Sequence, residues 1–354
     1  MEPVTLALTG DIYPTRPLNL LSQSVKQAIS VLRDADIAIG NFEISLSDKG
    51  APLEKLLAIR ARPELEADLP EFCLDVVTVA NNHSVDYGWE ALSDSIGRLE
   101  KAGIRVVGAG PKLEDAMRPQ IVEARGRRVG IIAFSCLLPA GQAASATRPG
   151  ISPIHVQTAY EIDPGYQMEE PGDLSVVKVR TWARESDLAV AEAAVSALKS
   201  QCDVVVVSIH WGFGSGESLA DYQLPLARKL IEAGADIIHG HHPHSIHAIG
   251  FYERKPILFS PNVFVGQQVF LDASDQVKAM WAEMSVDGYV ARLTLAGNGD
   301  IGVEIVPTTL NADRLPVLAT GEVFKRISER LTRLSVGQGA VVTEGRGVLC
   351  VRPV

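Results

Sequence analysis

Five of the eight histidines, His239, His241, His242, His244 and His247, fall within the stretch Ala235 to His247, ADIIHGHHPHSIH. Neutral imidazole is the commonest protein ligand for borderline metals, so this density points to metal chemistry. The short run Asp236-Ile237-Ile238 ahead of them reads as a buried strand, and Gly240 as the residue where the chain turns. The histidines then lie at the C-terminal mouth of a strand, where open α/β sheets place their ligands. Pro243 stiffens the turn between His242 and His244.

The same pattern recurs along the chain. Asp11 follows the strand-like run Val4 to Thr9, and Glu43 follows Asp36 to Gly40. Asn82 and His83 follow Asp75 to Ala80, and His210 follows Asp203 to Ile209. Asp11, Glu43, Asn82, His210, His242 and His244 thus form a mixed oxygen and nitrogen ligand set. Such a set suits Mn, Fe, Zn or Ni better than Mg or Ca, which prefer oxygen. If Glu43 bridges, two divalent ions about 3.5–4 Å apart are expected; without a bridge, one. Ions held this way bring a bound water close to ionisation at neutral pH and stabilise negative charge on the atom under attack. His83, uncoordinated beside Asn82, is the candidate to protonate a leaving group. Asp86 either orients His83 or caps the helix that follows. His239 and His247 read as supports rather than ligands, and His241 stands between the two readings.

The elements that must carry these groups alternate. Helical spacing over Leu18 to Asp34, Trp89 to Ala102, Thr181 to Gln201, Leu219 to Ala233 and Val323 to Leu334 is interleaved with short apolar strands, which predicts a layered α/β fold. A hairpin is expected around Gly126, and another around Asn298-Gly299-Asp300. Residues Ser47 to Pro63 read as an irregular excursion. The segment 138–173 is rich in Gly, Pro, Ala and Ser and breaks the pattern, so it is expected to be a lid or to shape the substrate site. No internal repeat and no linker divides the chain. A single domain over 1–354 is expected, with that insertion and a β-rich extension from about residue 285.

Composition bounds the partners. The net charge is −10 with no basic run, which argues against nucleic acid, whose phosphates are bound by clustered Lys and Arg. An anionic substrate would need local positive charge such as a metal. The four cysteines are dispersed and form no CxxC pair, and they read as small hydrophobes in a reducing compartment. The chain enters a strand at once, without the charged and apolar regions of a signal peptide, and no stretch approaches the roughly 20 apolar residues of a membrane helix. A cytoplasmic protein with no membrane contact is expected; oligomeric state is not legible.

Several of these motifs together resemble a known family. Gly10-Asp11, Asn41-Phe42-Glu43, ANNHSVDYG over Ala80 to Gly88, GAG over Gly108 to Gly110, SIHWG over Ser208 to Gly212 and AGADIIHGHHPH over Ala233 to His244 occur in the order seen in the CapA family. That family is named for poly-γ-glutamate capsule biosynthesis and is similar to the calcineurin-like metallophosphoesterases. The resemblance spans about Leu6 to Val306. It implies a four-layer αββα sandwich with a two-metal centre. Asp11 and His244 would serve the first metal, Glu43 would bridge, and Asn82, His210 and His242 would serve the second, with His83 as the acid. The sequence departs from the superfamily pattern in three places. Tyr13 stands where a metal-binding His is usual, Glu43 where the bridging acid is usually Asp, and Ser260-Pro261-Asn262-Val263-Phe264 where Ser-Leu-Gly-Asn-Phe is usual. A membrane anchor, usual in capsule members, is also missing. The expected function is a metal-dependent hydrolase acting on a phosphoester or a γ-glutamyl-type amide, in a small molecule or an acidic polymer. The alternatives are a non-hydrolytic accessory protein of such polymer synthesis, or a metal-assisted ligase or transferase.

Overall fold

The computed structural model describes residues 2–18, 22–297 and 299–354. Strict alternation in the buried strands decides the layering. In the strand Val4–Tyr13, Leu6 and Leu8 join one core while Ala7 joins another. In Val204–His210, Val204 and Val206 face the first of these cores and Val205, Val207 and Ile209 a third. Both faces of both strands are therefore buried, as the near-continuous Val and Ile run of Val204–His210 requires.

Two sheets result. The first orders its strands Ala340–Glu344, Leu349–Pro353, Ile301–Leu310, Asp287–Leu295, Val4–Tyr13, Ile37–Phe42, Val76–Thr78 and Arg105–Val107, with Val263–Gly266 and Pro316–Leu318 pairing off this path. The second orders Ile249–Tyr252, Lys255–Leu258, Ile237–His241, Val204–His210, Arg127–Ser135 and Gln120–Ala124. They pack face to face through a shared core in which Leu6, Leu8, Ile39 and Val76 meet Ile131, Val206, Ile237 and Leu258. Helices Gln23–Arg33 and Gly88–Lys101 cover the outer face of the first sheet with Val25, Ile29, Leu32, Leu92 and Leu99. Helices Glu185–Lys199 and Gln223–Glu232 cover the second with Val195, Leu198, Leu226 and Leu230. The order of layers is helix, sheet, sheet, helix, as expected. Helix Gly321–Ser335 inserts Ile327 and Leu331 into the core between the sheets.

The strands that lead into the candidate ligands run parallel with their neighbours: Val4–Tyr13 with Ile37–Phe42, that strand with Val76–Thr78, and Val204–His210 with Ile237–His241. Parallel strands end on one side, so the candidate ligands collect at one edge of the sandwich. Gly10 lets this edge close. A Cβ there would lie 1.6 Å from the Asn262 carbonyl oxygen, and the same carbonyl accepts the Asp11 backbone N–H at 3.2 Å.

Several expectations are corrected. Gly240 is not the turn: the strand runs on through His241, and the chain turns at His242, whose φ is +100°. Gly240 is small because the Trp211 indole and the Phe259 carbonyl occupy the place of a Cβ. The helix expected over Thr181 to Gln201 begins only at Glu185. Thr181 and Trp182 belong to a strand, Val177–Ala183, paired antiparallel with Val156–Ile162. These two strands make a ribbon that joins neither main sheet, with helix Pro164–Glu169 near its tip. Strands Asp287–Leu295 and Ile301–Leu310 pair as expected, though Asn298 of their turn lies outside the described residues, as do residues 19–21 of the first expected helix. Among the described residues no helix is long and apolar enough to cross a membrane.

Candidate metal centre

All eight residues singled out for chemistry gather at the edge of the sandwich. Asp11, Glu43, Asp86 and His210 are fully buried; His83, His242 and His244 are nearly so and line a cavity of about 560 Å³ together with Asn82 and Tyr13. Asn41 draws the two carboxylates together, its Nδ2 donating to Asp11 Oδ1 and to Glu43 Oε2, each at 2.7 Å. Asn81 in turn donates to Asn41 Oδ1 at 2.9 Å, and its own Oδ1 accepts the backbone N–H groups of His83 and Ser84. These asparagines are scaffolding for the centre. The sequence pattern gave no sign of the role of Asn41.

A chain of hydrogen bonds fixes the ring of His210. His239 Nε2 lies 2.8 Å from the Thr9 carbonyl, which can only accept, so this nitrogen carries the proton. Burial pushes His239 down to about 4, so the ring is neutral and its Nδ1 accepts from Ser208 Oγ at 3.2 Å. The hydroxyl proton being spent, Ser208 Oγ accepts from His241 Nε2 at 3.0 Å. His241 is also held neutral by burial, so its Nδ1 accepts, and the Nδ1–H of His210 donates to it at 2.8 Å. His210, neutral for the same reason, is left with a bare lone pair on Nε2. That lone pair faces Asn82 Oδ1 at 2.7 Å, an amide oxygen that can only accept, and Glu43 Oε1 at 3.3 Å, which likewise has only lone pairs once Glu43 is ionised.

Ligands on bonds of about 2.1 Å in tetrahedral or octahedral geometry stand about 3.0–3.4 Å apart, close to these separations. Glu43 Oε1, Asp11 Oδ2, His242 Nδ1 and His244 Nδ1 are buried without a hydrogen-bond partner. Such orphaned atoms normally cost stability, and a bound cation is one of the few things that satisfies them all. Asp11 Oδ2 and His244 Nδ1 are 3.6 Å apart. Glu43, His210 and His242 bring ligand atoms within 4.8 Å of one another. Asp11, His210 and His241 also do so, but there the imidazole nitrogens already bond each other, which makes His241 a support. The residues present therefore fit a divalent ion well around Glu43, Asn82, His210 and His242, and Asp11 and His244 offer a second place beside it.

Burial, with Glu43 disfavouring ionisation of Asp11, sets the charge state of the metal-free centre. Desolvation raises Asp11 well above the usual carboxylate range, helped by Glu43, and raises Glu43 to about 7. Desolvation also lowers His244 to about 3, and His210, His241, His242 and His247 fall below the ordinary imidazole value. With His210 neutral, its close approach to Glu43 is not an ion pair. The stability of the metal-free chain should fall on acidification. Below about pH 6.5 the unfolded chain protonates imidazoles that the folded chain keeps neutral, so folding loses ground. Asp11 and Glu43 act in the opposite sense, since the folded state holds their protons up to higher pH, but six lowered imidazoles outweigh two carboxyls. The melting temperature of chelator-treated protein is expected to drop between pH 7 and pH 5; a rise over that interval would contradict this charge state.

His83 stands beside the candidate ligands. Its Nδ1 lies 2.7 Å from Asp86 Oδ2, so the ring donates to that carboxylate and turns Nε2 elsewhere. Asp86 also accepts from the Ile59 backbone N–H at 2.8 Å and from Lys55 Nζ at 2.6 Å, and Lys55 reaches the Asn82 carbonyl at 2.7 Å. Asp86 therefore orients His83 and ties down the excursion over 53–59; it does not cap the helix that starts at Gly88. Lys55 came from the stretch with no readable pattern. Tyr13 packs near both His83 and His244, with ring centroids 6.3 and 6.2 Å away, and burial beside Glu43 and Asp11 keeps its hydroxyl protonated.

Other polar and charged groups lie elsewhere. His155 pairs with Asp187, and His247 Nε2 donates to the Gly216 carbonyl. Arg16 stacks on Phe270 and Arg60 on Tyr87. Asn262 donates to the Ser285 and Asp287 carbonyls, a structural tie. Residues 138–173 contribute nothing to the cavity wall, which is built instead by 55–59, 214–217, 280–285 and Arg330.

The chain is similar to known proteins over most of its length. The family model described as Bacterial capsule synthesis protein PGA_cap matches residues 5–268. The chain belongs to that family. Relatives of this PGA_cap chain include the capsule biosynthesis protein CapA of Bacillus anthracis, 26% identical over 94% of this chain and 74% of its own length. The PGA biosynthesis protein CapA of Bacillus subtilis (strain 168) is also 26% identical, over 94% of this chain and 78% of its own length. A protein named "Probable polyglutamine synthesis accessory protein" in Mycobacterium tuberculosis is 31% identical over 66% of this chain and 57% of its own. Among solved structures, a novel phosphatase of Mycoplasma pneumoniae has a TM-score of 0.49 at 12% identity, covering 87% of this chain and 94% of that one.

Ser208 gives a test of the hydrogen-bond chain. It touches no candidate metal position, yet Ser208→Ala would let His241 and His210 adopt the other tautomer, with a proton on His210 Nε2. Metal affinity is expected to fall about 10–100-fold, the usual cost of losing a group that orients a ligand. Unchanged affinity, measured by competition with a chelator, would refute the tautomer assignment.

Proposed function

We propose that this PGA_cap protein is a metal-dependent hydrolase, acting on a phosphoester or a γ-glutamyl-type amide. The observation that carries the reading is the bare Nε2 lone pair of His210, held against the oxygens of Asn82 and Glu43. Glu43, Asn82, His210 and His242 would hold one divalent ion, and Asp11 and His244, with Glu43 shared, a second. The mixed donor set suits Mn, Fe or Zn. Such ions, when bound, would ionise a water near neutral pH and stabilise negative charge on the atom attacked. The chain's own residues supply the rest. His83 presents Nε2 to the cavity and hands a proton to the leaving group, while Asp86 fixes the ring and balances its charge. The Tyr13 hydroxyl remains a donor at the floor of the site.

Metal content decides how much of this stands. Elemental analysis of chain purified without chelator and resupplied with Mn, Fe or Zn is expected to give about two ions per chain. One ion would restrict the centre to Asn82, His210 and His242 with Glu43. None would leave the accessory role that the mycobacterial relative's name carries as the better reading for this chain.

A further inference from the structure

The cavity above the centre has a second character. Away from the imidazoles its wall is apolar: Leu56, Leu57 and Ile59 from one side, Met280, Trp281 and Met284 from the other. Two of these are unusually exposed for their type, Leu56 at 61% and Met280 at 45%. Large apolar side chains held at the mouth of a polar centre mark a surface that a ligand covers. Cationic groups are scarce. Only Lys55 and Arg330 among the lining residues carry positive charge, and each already holds a carboxylate: Lys55 that of Asp86 at 2.6 Å, Arg330 that of Glu217 at 2.7 Å. Glu283 also lines the wall, and the chain as a whole carries −10.

An extended polyanion would meet, beyond the centre, an apolar wall, two neutralised cations and a repelling field. We infer that the site takes a small molecule with one anionic reacting group and an apolar or aromatic body, not a run of carboxylates. The anionic group sits at the centre, and the body lies between Leu56 and Met280 and against Trp281. The wall and the acid are joined: Lys55 and the Ile59 backbone N–H both bind Asp86, so the segment carrying Leu56 and Leu57 is fastened to the carboxylate that orients His83. A cavity of about 560 Å³ accommodates a body of this kind.

This rests on the metal-centre reading above, and the test separates the two. Binding of phenylphosphonate, methylphosphonate and a γ-glutamyl trimer to the full chain loaded with Mn is measured by calorimetry, which needs no turnover. Burying a phenyl ring predicts binding about tenfold or more tighter for phenylphosphonate than for methylphosphonate. The trimer should bind no better than methylphosphonate. In the double variant Leu56→Ser, Met280→Ser, both positions being exposed, the preference should shrink toward parity while bound metal is unchanged. Equal affinity for the two phosphonates, tighter binding of the trimer, or binding of neither phosphonate would overturn the inference. A phenyl preference in a chain that cleaves no phosphoester or amide would keep the inference and remove the hydrolase. Turnover without any phenyl preference would do the reverse.

Discussion

His242→Ala will lose metal and turnover together. His242 Nδ1 is buried without a hydrogen-bond partner, and the ring sits within reach of Glu43 and His210. Burial holds it neutral, the state in which imidazole binds a metal. Removing a group that merely orients a ligand costs about 10–100-fold in affinity or activity, and removing the ligand itself should exceed that. Full metal content with full turnover in His242→Ala would end the hydrolase proposal. The backbone adds a second readout. At φ +100° an alanine is as strained as the histidine, whereas glycine is at ease. Gly usually costs a buried or structured position stability relative to Ala; here His242→Gly is expected to be the more stable of the two, by about 1–3 kcal/mol in chemical denaturation.

His83→Gln should leave the metal in place and slow the reaction about 10²–10⁴-fold, the range for losing a positioned general acid. The loss should depend on the leaving group. An alkyl phosphate or an amide needs the proton and should show the whole effect, while a p-nitrophenyl ester, whose phenolate leaves unaided, should show little of it. Asp86→Asn should resemble His83→Gln in this selectivity, because a neutral amide no longer balances the charge of the protonated ring. A uniform loss across leaving groups would instead mean that His83 positions the substrate or a metal.

The gathering of the candidate ligands could be expected from the sequence because they fall at the ends of strongly apolar strands. Runs such as Asp203 to Ile209 announce both the strand and the place where it stops, and a parallel fold then gathers the stops. The layers were legible for the same reason. What could not be read depends on contacts between distant segments. Lys55 and Leu56 lie in a stretch without periodicity, and they matter only because Asp86 holds that stretch beside Trp281. Gly240 reads as a turn residue in the sequence because the reason for its size, the indole of Trp211, lies just beyond the end of a neighbouring strand. The ribbon around 156–183 misled for a different reason. It buries little on either face, so its alternation is too weak to separate strand from helix, and Thr181 and Trp182 were absorbed into the helix that follows.

The first strand has a consequence for how the chain is made. Val4–Tyr13 carries Asp11, yet one of its two long edges is covered by Asp287–Leu295, almost at the far end of the chain. Synthesis at about 5–20 residues per second separates the two by roughly 15 s or more. For all that time an apolar strand edge, among the most aggregation-prone surfaces a nascent chain can present, waits for its partner. The stretch 5–268 that defines family membership stops short of that partner. The candidate ligands are all made before the strand that seals the edge of the first of them.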